Sequence, residues 1–270
     1  MIMMLVCFNN LLRAQTLKIL TSGIKTSLRG LSVVSDKTAW VSGSGGVVGI
    51  TKDGGANWNW IFVKGFENRD FRDIEAFNDN TAVVMAVDEP ACILKTTDGG
   101  KTWKTVYSNF DKGMFLDAMD FKGKTGIVIG DPIKRKFFVA NTKDGGETWH
   151  DAPFENRPSA DSAEACFASS GTNVRLLKNG NPMFISGGAS SHLFLSDKKI
   201  LLPIMQGKES TGTNSIAFKT KKIFIVVGGD FNLKDEKDKN CFITYNAGRS
   251  WLAPITSPDR KSTRLNSSHW

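Results

Sequence analysis

Acidic side chains are the residues of this chain whose type and spacing could do chemistry. Asp73 and Asp117 each lie four residues before a phenylalanine, Phe77 or Phe121, in similar strand-like runs. Two carboxylates held about 5 to 9.5 Å apart can act as acid and base, or as acid and nucleophile, across a glycosidic bond. Asp73 and Asp117 are therefore weak candidates for a catalytic pair.

Six further charged residues are predicted to lie on the same face as this pair or close to it, and we predict that they surround a binding site. They are Arg69, Arg72, Asp88, Asp131, Glu164 and Asp230. One interpretation is that these residues only form turns and strand starts, positions that Asp prefers. A second is a mouth of loops that binds a protein partner or a cationic or polyhydroxylated ligand. The third is catalysis by the acidic pair, and the residues leave all three open.

The sequence gives little support for a disulfide framework, a metal site or a dinucleotide cofactor. Of the four cysteines, Cys7 falls in the apolar N-terminal segment. The remaining Cys92, Cys166 and Cys241 are an odd number at wide spacing, so we expect buried free thiols rather than a disulfide framework or a metal site. The acid-rich run at 230–240 lacks the Gly and Glu that an EF-hand loop needs. The glycine-rich run at 43–49 lacks the third glycine of a dinucleotide fingerprint. We therefore predict no metal and no cofactor.

The composition indicates an ordinary globular β protein. The 270 residues are 40% hydrophobic and 23% charged, which excludes a disordered chain and a coiled coil. The 26 glycines, together with 7 Trp and 18 Phe, favour many tight turns packed against aromatic side chains. The net charge of +8 is scattered, without a basic stripe interleaved with aromatics, so we predict no nucleic-acid partner.

The two ends of the chain differ from the rest. The apolar start within 1–14 resembles a secretory signal without its basic region, so we expect a secreted or periplasmic protein; a buried first strand is the alternative. The polar segment 259–270 resembles translated adapter sequence and is predicted to be non-native. No later stretch approaches the roughly 20 apolar residues of a membrane span, so none is expected.

An eight-residue pattern recurs through the body of the chain. Its acidic or amide position is followed by Gly two residues later and by Trp five residues later. The four sets are Asp53, Gly55 and Trp58; Asp98, Gly100 and Trp103; Asp144, Gly146 and Trp149; and Asn246, Gly248 and Trp251. Ser196 and Asp197 form a degenerate copy that has lost the Gly and the Trp. Each copy combines a carboxylate or amide for turn N–H groups, glycine for positive φ, and an aromatic anchor, which predicts a hairpin clamp.

Each pattern follows three strand-like runs and precedes a fourth, which is the sequence form of a propeller blade. The first three copies are spaced at 45 and 46 residues. We predict an all-β propeller over 15–258, with five recognisable four-stranded blades in a chain that we expect to be truncated at its C-terminus. The blades are expected near 28–63, 71–107, 115–154, 163–205 and 214–255.

The pattern resembles the Asp-box (BNR) repeat of the sialidase-like superfamily, whose consensus is S/T-x-D-x-G-x-T-W. The chain is similar to secreted bacterial propellers related to photosystem II assembly factors. The resemblance implies that each box lies between the third and fourth strands of a blade, so the acidic candidates should lie on the opposite face of the propeller. Sialidase activity is not expected, since the chain has only Tyr107 and Tyr245 and no arginine triad.

These observations predict an exported binding or assembly scaffold rather than an enzyme. Its partner would be an unknown protein or carbohydrate at the acidic face. The alternative is a glycoside hydrolase or lyase that uses the carboxylates of that face.

Overall fold

Antiparallel sheets account for nearly all regular structure in the computed structural model. It describes residues 19–21, 24–169, 171–233, 235–256 and 258. The predicted signal segment 1–14 and the predicted non-native tail 259–270 lie outside the described residues. None of the described residues belongs to a helix long and apolar enough to cross a bilayer.

Three four-stranded meanders form the first half of the fold. The first contains β1 (Leu28–Val33), β2 (Ala39–Gly43), β3 (Val47–Thr51) and β4 (Asn59–Phe62). The second contains β5 (Phe71–Ala76), β6 (Ala82–Ala86), β7 (Ala91–Thr96) and β8 (Lys104–Asn109). The third contains β9 (Leu116–Lys122), β10 (Thr125–Ile133), β11 (Lys136–Thr142) and β12 (His150–Asp151). A short 3-10 turn, Phe154–Asn156, follows the third meander.

Two sheets form the second half, and their strands alternate along the chain. The short strand β13 (Glu164–Ala165) comes first, before β14 (Val174–Leu176) and β15 (Pro182–Ile185). Then follow β16 (Gly187–Gly188), β17 (His192–Leu195) and β18 (Lys198–Leu201). The last three strands are β19 (Thr211–Thr220), β20 (Ile223–Asp230) and β21 (Cys241–Thr244). The fourth blade is β14-β15-β17-β18, and the fifth sheet is β13-β16-β19-β20-β21. The predicted fold class, a propeller of four-stranded blades, is confirmed.

The innermost strand of the fourth blade begins later than the sequence predicts. The sequence predicts this blade near 163–205, but its innermost strand is β14, which begins at Val174. Ala163 has a φ of 55° and ends the turn before β13. Strand β13 then pairs with the glycines of β16 and extends the fifth sheet, so the chain crosses between two blades before the fourth blade starts.

Each complete Asp box closes its hairpin with the same set of hydrogen bonds. In the second blade the Thr96 hydroxyl donates to Asp98 Oδ1 at 2.9 Å and accepts from the Gly100 amide at 3.0 Å. The Asp98 carboxylate accepts from the amide and the hydroxyl of Thr102 at 2.9 and 2.6 Å. The hydrogen bonds from Thr102 lower the pKa of Asp98 to about 2. Gly100 has a φ of 83°, and a Cβ there would lie 2.5 Å from Ile61 of the first blade.

The hydrogen-bonded turn of each box positions its tryptophan in the gap between its own blade and the preceding one. Trp103 joins the core between the first and second blades, Trp149 the core between the second and third, and Trp251 the core between the fourth and fifth. The Trp149 ring packs edge-on against Phe121 at 5.7 Å, and only 8% of the residue is exposed. The boxes therefore stabilise the contacts between blades as well as the turns.

Hydrogen bonds between innermost strands also join neighbouring blades. The Ser32 hydroxyl accepts from the Ala76 amide at 3.0 Å, and Asp73 Oδ2 accepts from the Met119 amide at 2.9 Å. Asp120 Oδ2 then accepts from the Leu176 amide at 2.5 Å. A side chain of one blade thus satisfies a main-chain N–H of the next, around the inside of the ring.

We expect Trp149→Ala to lower the free energy of unfolding by about 3–5 kcal/mol, the usual cost of deleting a large buried aromatic side chain. Urea unfolding followed by circular dichroism measures the change. Trp58→Ala is the matched control, because Trp58 occupies the same box position in the first blade but is only half-buried. An equal loss in the two variants would show that burial between blades does not set the contribution of the box.

Candidate functional site

A β-bulge interrupts the innermost strand in four of the five sheets. The register skips one residue between Leu28 and Gly30 in β1, between Phe71 and Asp73 in β5, between Leu116 and Ala118 in β9, and between Thr213 and Ser215 in β19. The skipped residues are Arg29, Arg72, Asp117 and Asn214. An extra bulge residue leaves the alternation of the strand and re-aims its side chain.

These four bulge residues line one cavity, with a volume of about 390 Å³. Its other described lining residues are Phe115, Cys166, Phe167, Ala168, Ser169 and Phe231. Because the bulges belong to the innermost strands of different blades, the cavity lies where those strands converge. It combines two cationic side chains, one carboxyl group, one amide and three phenyl rings, a composition typical of a ligand site.

Asp117 is the most unusual group in the cavity. It is fully buried, and neither of its carboxyl oxygens forms a hydrogen bond of normal geometry with a described residue. Burial raises the pKa of Asp117 well above its usual value and the nearby Asp131 raises it further, against smaller opposing effects of the Arg72 charge and the Ala168 amide. A neutral carboxylic acid can both donate and accept a hydrogen bond, so Asp117 can bind a polar group that enters the cavity.

The two arginines of the cavity differ in how they are held. Arg72 Nε donates to Asp70 Oδ2 at 2.8 Å, and the guanidinium lies 5.8 Å from the centre of the Phe115 ring. The Nε of Arg29 is buried and has no hydrogen-bond partner among the described residues. The cavity thus presents an unpaired donor on Arg29 and an unpaired acid on Asp117.

Asp73 does not share this cavity, so the predicted equivalence of Asp73 and Asp117 is wrong. In the strand pairing of β9 and of β5, the skipped bulge residues are Asp117 and Arg72, so these two residues occupy equivalent positions. The Asp73 side chain faces the third blade instead. There its carboxylate accepts from the Met119 and Ile74 amides, each at 2.9 Å. Burial raises the pKa of Asp73 to about 7, although those two amides oppose the rise. Asp73 therefore joins two blades.

The other predicted binding residues also have contacts of their own. Arg69 donates to the carbonyl oxygens of Asp88 and Pro90, both at 2.5 Å, so it holds the loop that contains Asp88. Asp131 accepts from the Cys166 amide at 3.0 Å, and burial raises its pKa to about 6. The predicted residues that the structure brings together at the cavity are Arg72 and Asp117.

Asp230 is buried at the end of β20 and is not among the residues that line the cavity, although its neighbour Phe231 is. It accepts from the Asn232 amide at 2.9 Å, and Lys208 Nζ lies 3.9 Å from its second oxygen.

Glu164 belongs to a separate buried cluster between β13 and β17. It pairs with His192 Nδ1 at 2.9 Å and with Lys199 Nζ at 2.8 Å, and it also accepts from the Ser186 hydroxyl. Burial alone would raise the pKa of Glu164, but the hydrogen bonds from His192 and the other donors hold it below its usual value. Asp161, Glu164 and His192 are close enough to hold a metal ion. However, the Lys199 ammonium already lies 2.7 Å from Asp161 and neutralises the carboxylates, so the cluster is an ion pair network.

The three described cysteines are free and buried. Burial raises the pKa of the Cys166 thiol well above its usual value, and the nearby acids Asp117, Asp131 and Glu164 raise it further. A thiol in this environment stays protonated and is a poor nucleophile, although Cys166 lines the cavity.

Sequence reasoning missed Arg29, Phe115 and Phe231 as cavity residues. A bulge leaves no mark in the hydrophobic pattern of one short strand, and Arg29 stands in a run that differs from the later units. The signal that could have found Arg29 is its place beside Gly30, where a Cβ would lie 2.4 Å from the Ser42 hydroxyl. Such a glycine marks a close approach of strands beside a bulge.

Comparisons with known proteins agree with the fold. Residues 60–173 match the family model described as Photosynthesis system II assembly factor YCF48. No curated protein matches the chain. The structure of YCF48 bound to D1 peptide is 15% identical with a TM-score of 0.55, over 87% of this chain and 70% of that one. A computationally designed protein, Ika8, is 13% identical with a TM-score of 0.50, over 88% and 64% of the two chains. YCF48 from Cyanidioschyzon merolae is 15% identical with a TM-score of 0.48, over 90% and 89%. The predicted resemblance is confirmed for residues 60–173, which match this family model, and the similar structures share the β-propeller fold.

We expect the stability of the protein to fall as the pH rises from about 4 to about 7. A carboxyl group whose pKa is raised by folding keeps its proton in the folded state after the unfolded chain has lost it, so its stabilising contribution is complete below the unfolded pKa and is lost as the pH passes the folded value. Asp73, with a pKa of about 7, and Asp131, with a pKa of about 6, set this window. Each retained proton changes the free energy of unfolding by up to about 1.4 kcal/mol per pH unit.

The pKa of Asp117 is raised as well, so Asp117→Asn should make the fall with pH shallower and raise the midpoint of thermal unfolding at pH 8. The control is Asp88→Asn, which removes the same charge at an exposed position and should leave the slope unchanged. Thermal unfolding between pH 4.5 and 8 measures both. A slope in Asp117→Asn identical to that of the wild type would contradict a raised pKa at Asp117.

Proposed function

We propose that this protein is a binding scaffold that holds a peptide segment of a partner protein in the cavity lined by Arg29, Arg72, Asp117 and Asn214. The observation that carries the proposal is the pair of unsatisfied groups in that cavity, the buried Asp117 carboxyl and the buried Arg29 Nε. A buried polar group without a partner costs about 1–3 kcal/mol. A ligand that pairs with both groups recovers that cost when it binds.

A peptide supplies the matching chemistry in a regular form. Its main chain offers one N–H and one C=O per residue, which are the groups that an arginine donor and a carboxyl group need. Phe115, Phe167 and Phe231 offer apolar surface to the peptide side chains. The similar propeller YCF48 has been solved bound to D1 peptide, so a relative of this fold binds a peptide.

The geometry disfavours the alternative of a glycoside hydrolase or lyase. Two carboxylates must face one substrate bond in such an enzyme. Asp117 is the one carboxylate among the described residues of the cavity lining, and Asp73 is engaged between two blades. The matched family is described as an assembly factor, which also favours binding over catalysis.

We further propose that the protein is exported, so that its partner is a secreted or periplasmic protein. The proposal rests on the apolar segment at 1–14, and a periplasmic reporter fused after residue 20 tests it. Reporter activity that persists when the segment 1–14 is deleted would contradict export by that segment.

The binding proposal is tested with a pair of substitutions at one position. A random peptide array and a glycan array are probed with labelled protein, and the affinity of the captured peptides is measured by calorimetry. Asp117→Asn keeps a donor and an acceptor and should retain binding within about threefold, whereas Asp117→Leu should weaken binding at least about tenfold, because both hydrogen bonds are lost. Peptides that bind Asp117→Leu as well as the wild type would contradict the proposed site. Capture of glycans alone, with turnover lost in Asp117→Asn, would favour the enzyme.

A further inference from the structure

A second cavity lies between the third and fourth blades, away from the first. It has a volume of about 470 Å³ and an apolar floor formed by Ile127, Val139, Ala152, Phe184 and Phe194. Its rim carries Asn156, Ser159, Asp197, Lys198 and Lys199. None of these residues lines the cavity of the bulge residues, so the two sites are distinct.

This cavity lies in the gap that a box tryptophan occupies elsewhere in the propeller. In the second blade, Ala82 of β6 pairs with the box residue Thr96. The next residue, Val83, packs in the same core as Trp149 of the third blade. Ile127 has the same place in β10, since it follows Gly126, which pairs with the box residue Thr142. The fourth blade should therefore place its box tryptophan against Ile127.

The fourth blade has no such tryptophan. A two-residue turn, Ser196 and Asp197, connects β17 directly to β18 in place of the eight-residue box. Among the described residues, the core between the third and fourth blades contains no indole, unlike the cores that hold Trp103, Trp149 and Trp251. Phe184 and Phe194 stack at 4.3 Å and fill part of the space, and the rest remains as the cavity.

We propose that this gap is a socket for an aromatic side chain, most suitably tryptophan, on an extended peptide segment of a partner protein. Its walls have the shape and apolar chemistry that accept an indole at the equivalent gaps of the same fold. The ring of the ligand would lie against Ile127 and the Phe184–Phe194 stack, in place of the missing box tryptophan.

The outer strand beside the socket favours a peptide over a free aromatic compound. Within the described residues β18 pairs with β17 alone, so its other edge offers main-chain donors and acceptors to a further strand. Lys199 is paired with Asp161 and Glu164, so Lys198 is the rim lysine without an ion pair among the described residues, and the whole chain carries a charge of +8. We therefore expect acidic residues on either side of the aromatic one.

The test uses short blocked peptides and isothermal titration. Acetyl-Glu-Trp-Glu-amide should bind the wild type, whereas acetyl-Glu-Leu-Glu-amide should bind at least about tenfold more weakly, because it lacks the ring. Acetyl-Lys-Trp-Lys-amide should also bind more weakly, because Lys198 and the net charge of +8 repel its lysines. Equal affinity for the Trp and Leu peptides would overturn the socket, and free indole binding as tightly as the acidic peptide would overturn the assignment to a peptide.

Two variants locate the binding. Ala152→Phe places a ring in the socket and should weaken binding of the acidic Trp peptide at least about tenfold. The control is Val106→Phe, because Val106 stands three residues after Trp103 as Ala152 does after Trp149, but beside a gap that Trp149 already fills. Should Ala152→Phe fail to fold, the eight residues of the third box can replace Ser196 and Asp197, which supplies the missing tryptophan and should abolish binding.

If the variant that carries the inserted box folds and still binds the acidic Trp peptide, the proposal is overturned. Asp117→Leu should bind the acidic Trp peptide as the wild type does, so this test is independent of the one at the bulge cavity.

Discussion

The contact between neighbouring blades is the constraint on which the rest of this structure depends. A four-stranded sheet has two faces, and each blade must bury them against other blades because the sheets are too small to be stable alone. The Asp box solves this with local chemistry. Its threonine and aspartate close the turn with hydrogen bonds, and the closed turn aims a tryptophan into the gap. One short motif thus sets both the hairpin and the packing of the sheet against its neighbour.

Hydrogen bonds join the innermost strands of neighbouring blades, in addition to the apolar packing between those blades. Ser32, Asp73 and Asp120 each satisfy an amide of the following blade. Carboxylates are strong acceptors for such amides, but burial penalises their charge, and the raised pKa of Asp73 is the result. Joining blades in this way therefore ties the stability of the ring to pH.

The sequence predicted the fold because the box is a local motif with a regular spacing. Turn residues, glycines and tryptophan all act within eight residues, so their pattern survives without knowledge of the tertiary structure. The innermost strands were harder, because a β-bulge shifts the side chains by one residue without a composition signal. That shift explains why Asp73 and Asp117 were aligned although Arg72 is the true counterpart of Asp117. The fourth blade was harder still, since the crossing strands β13 and β16 are two residues each.

The two cavities lie where the regular contacts between blades are interrupted, and the cause of the interruption differs between them. At the bulges the fold leaves the Asp117 carboxyl group and the Nε of Arg29 buried without a hydrogen-bond partner among the described residues. At the fourth blade the fold omits the tryptophan that fills the other gaps and leaves apolar walls apart. Each departure costs stability in the free protein, the first through desolvation of polar groups and the second through lost packing. A segment that bound at either place would recover that cost, because binding to the folded state stabilises it.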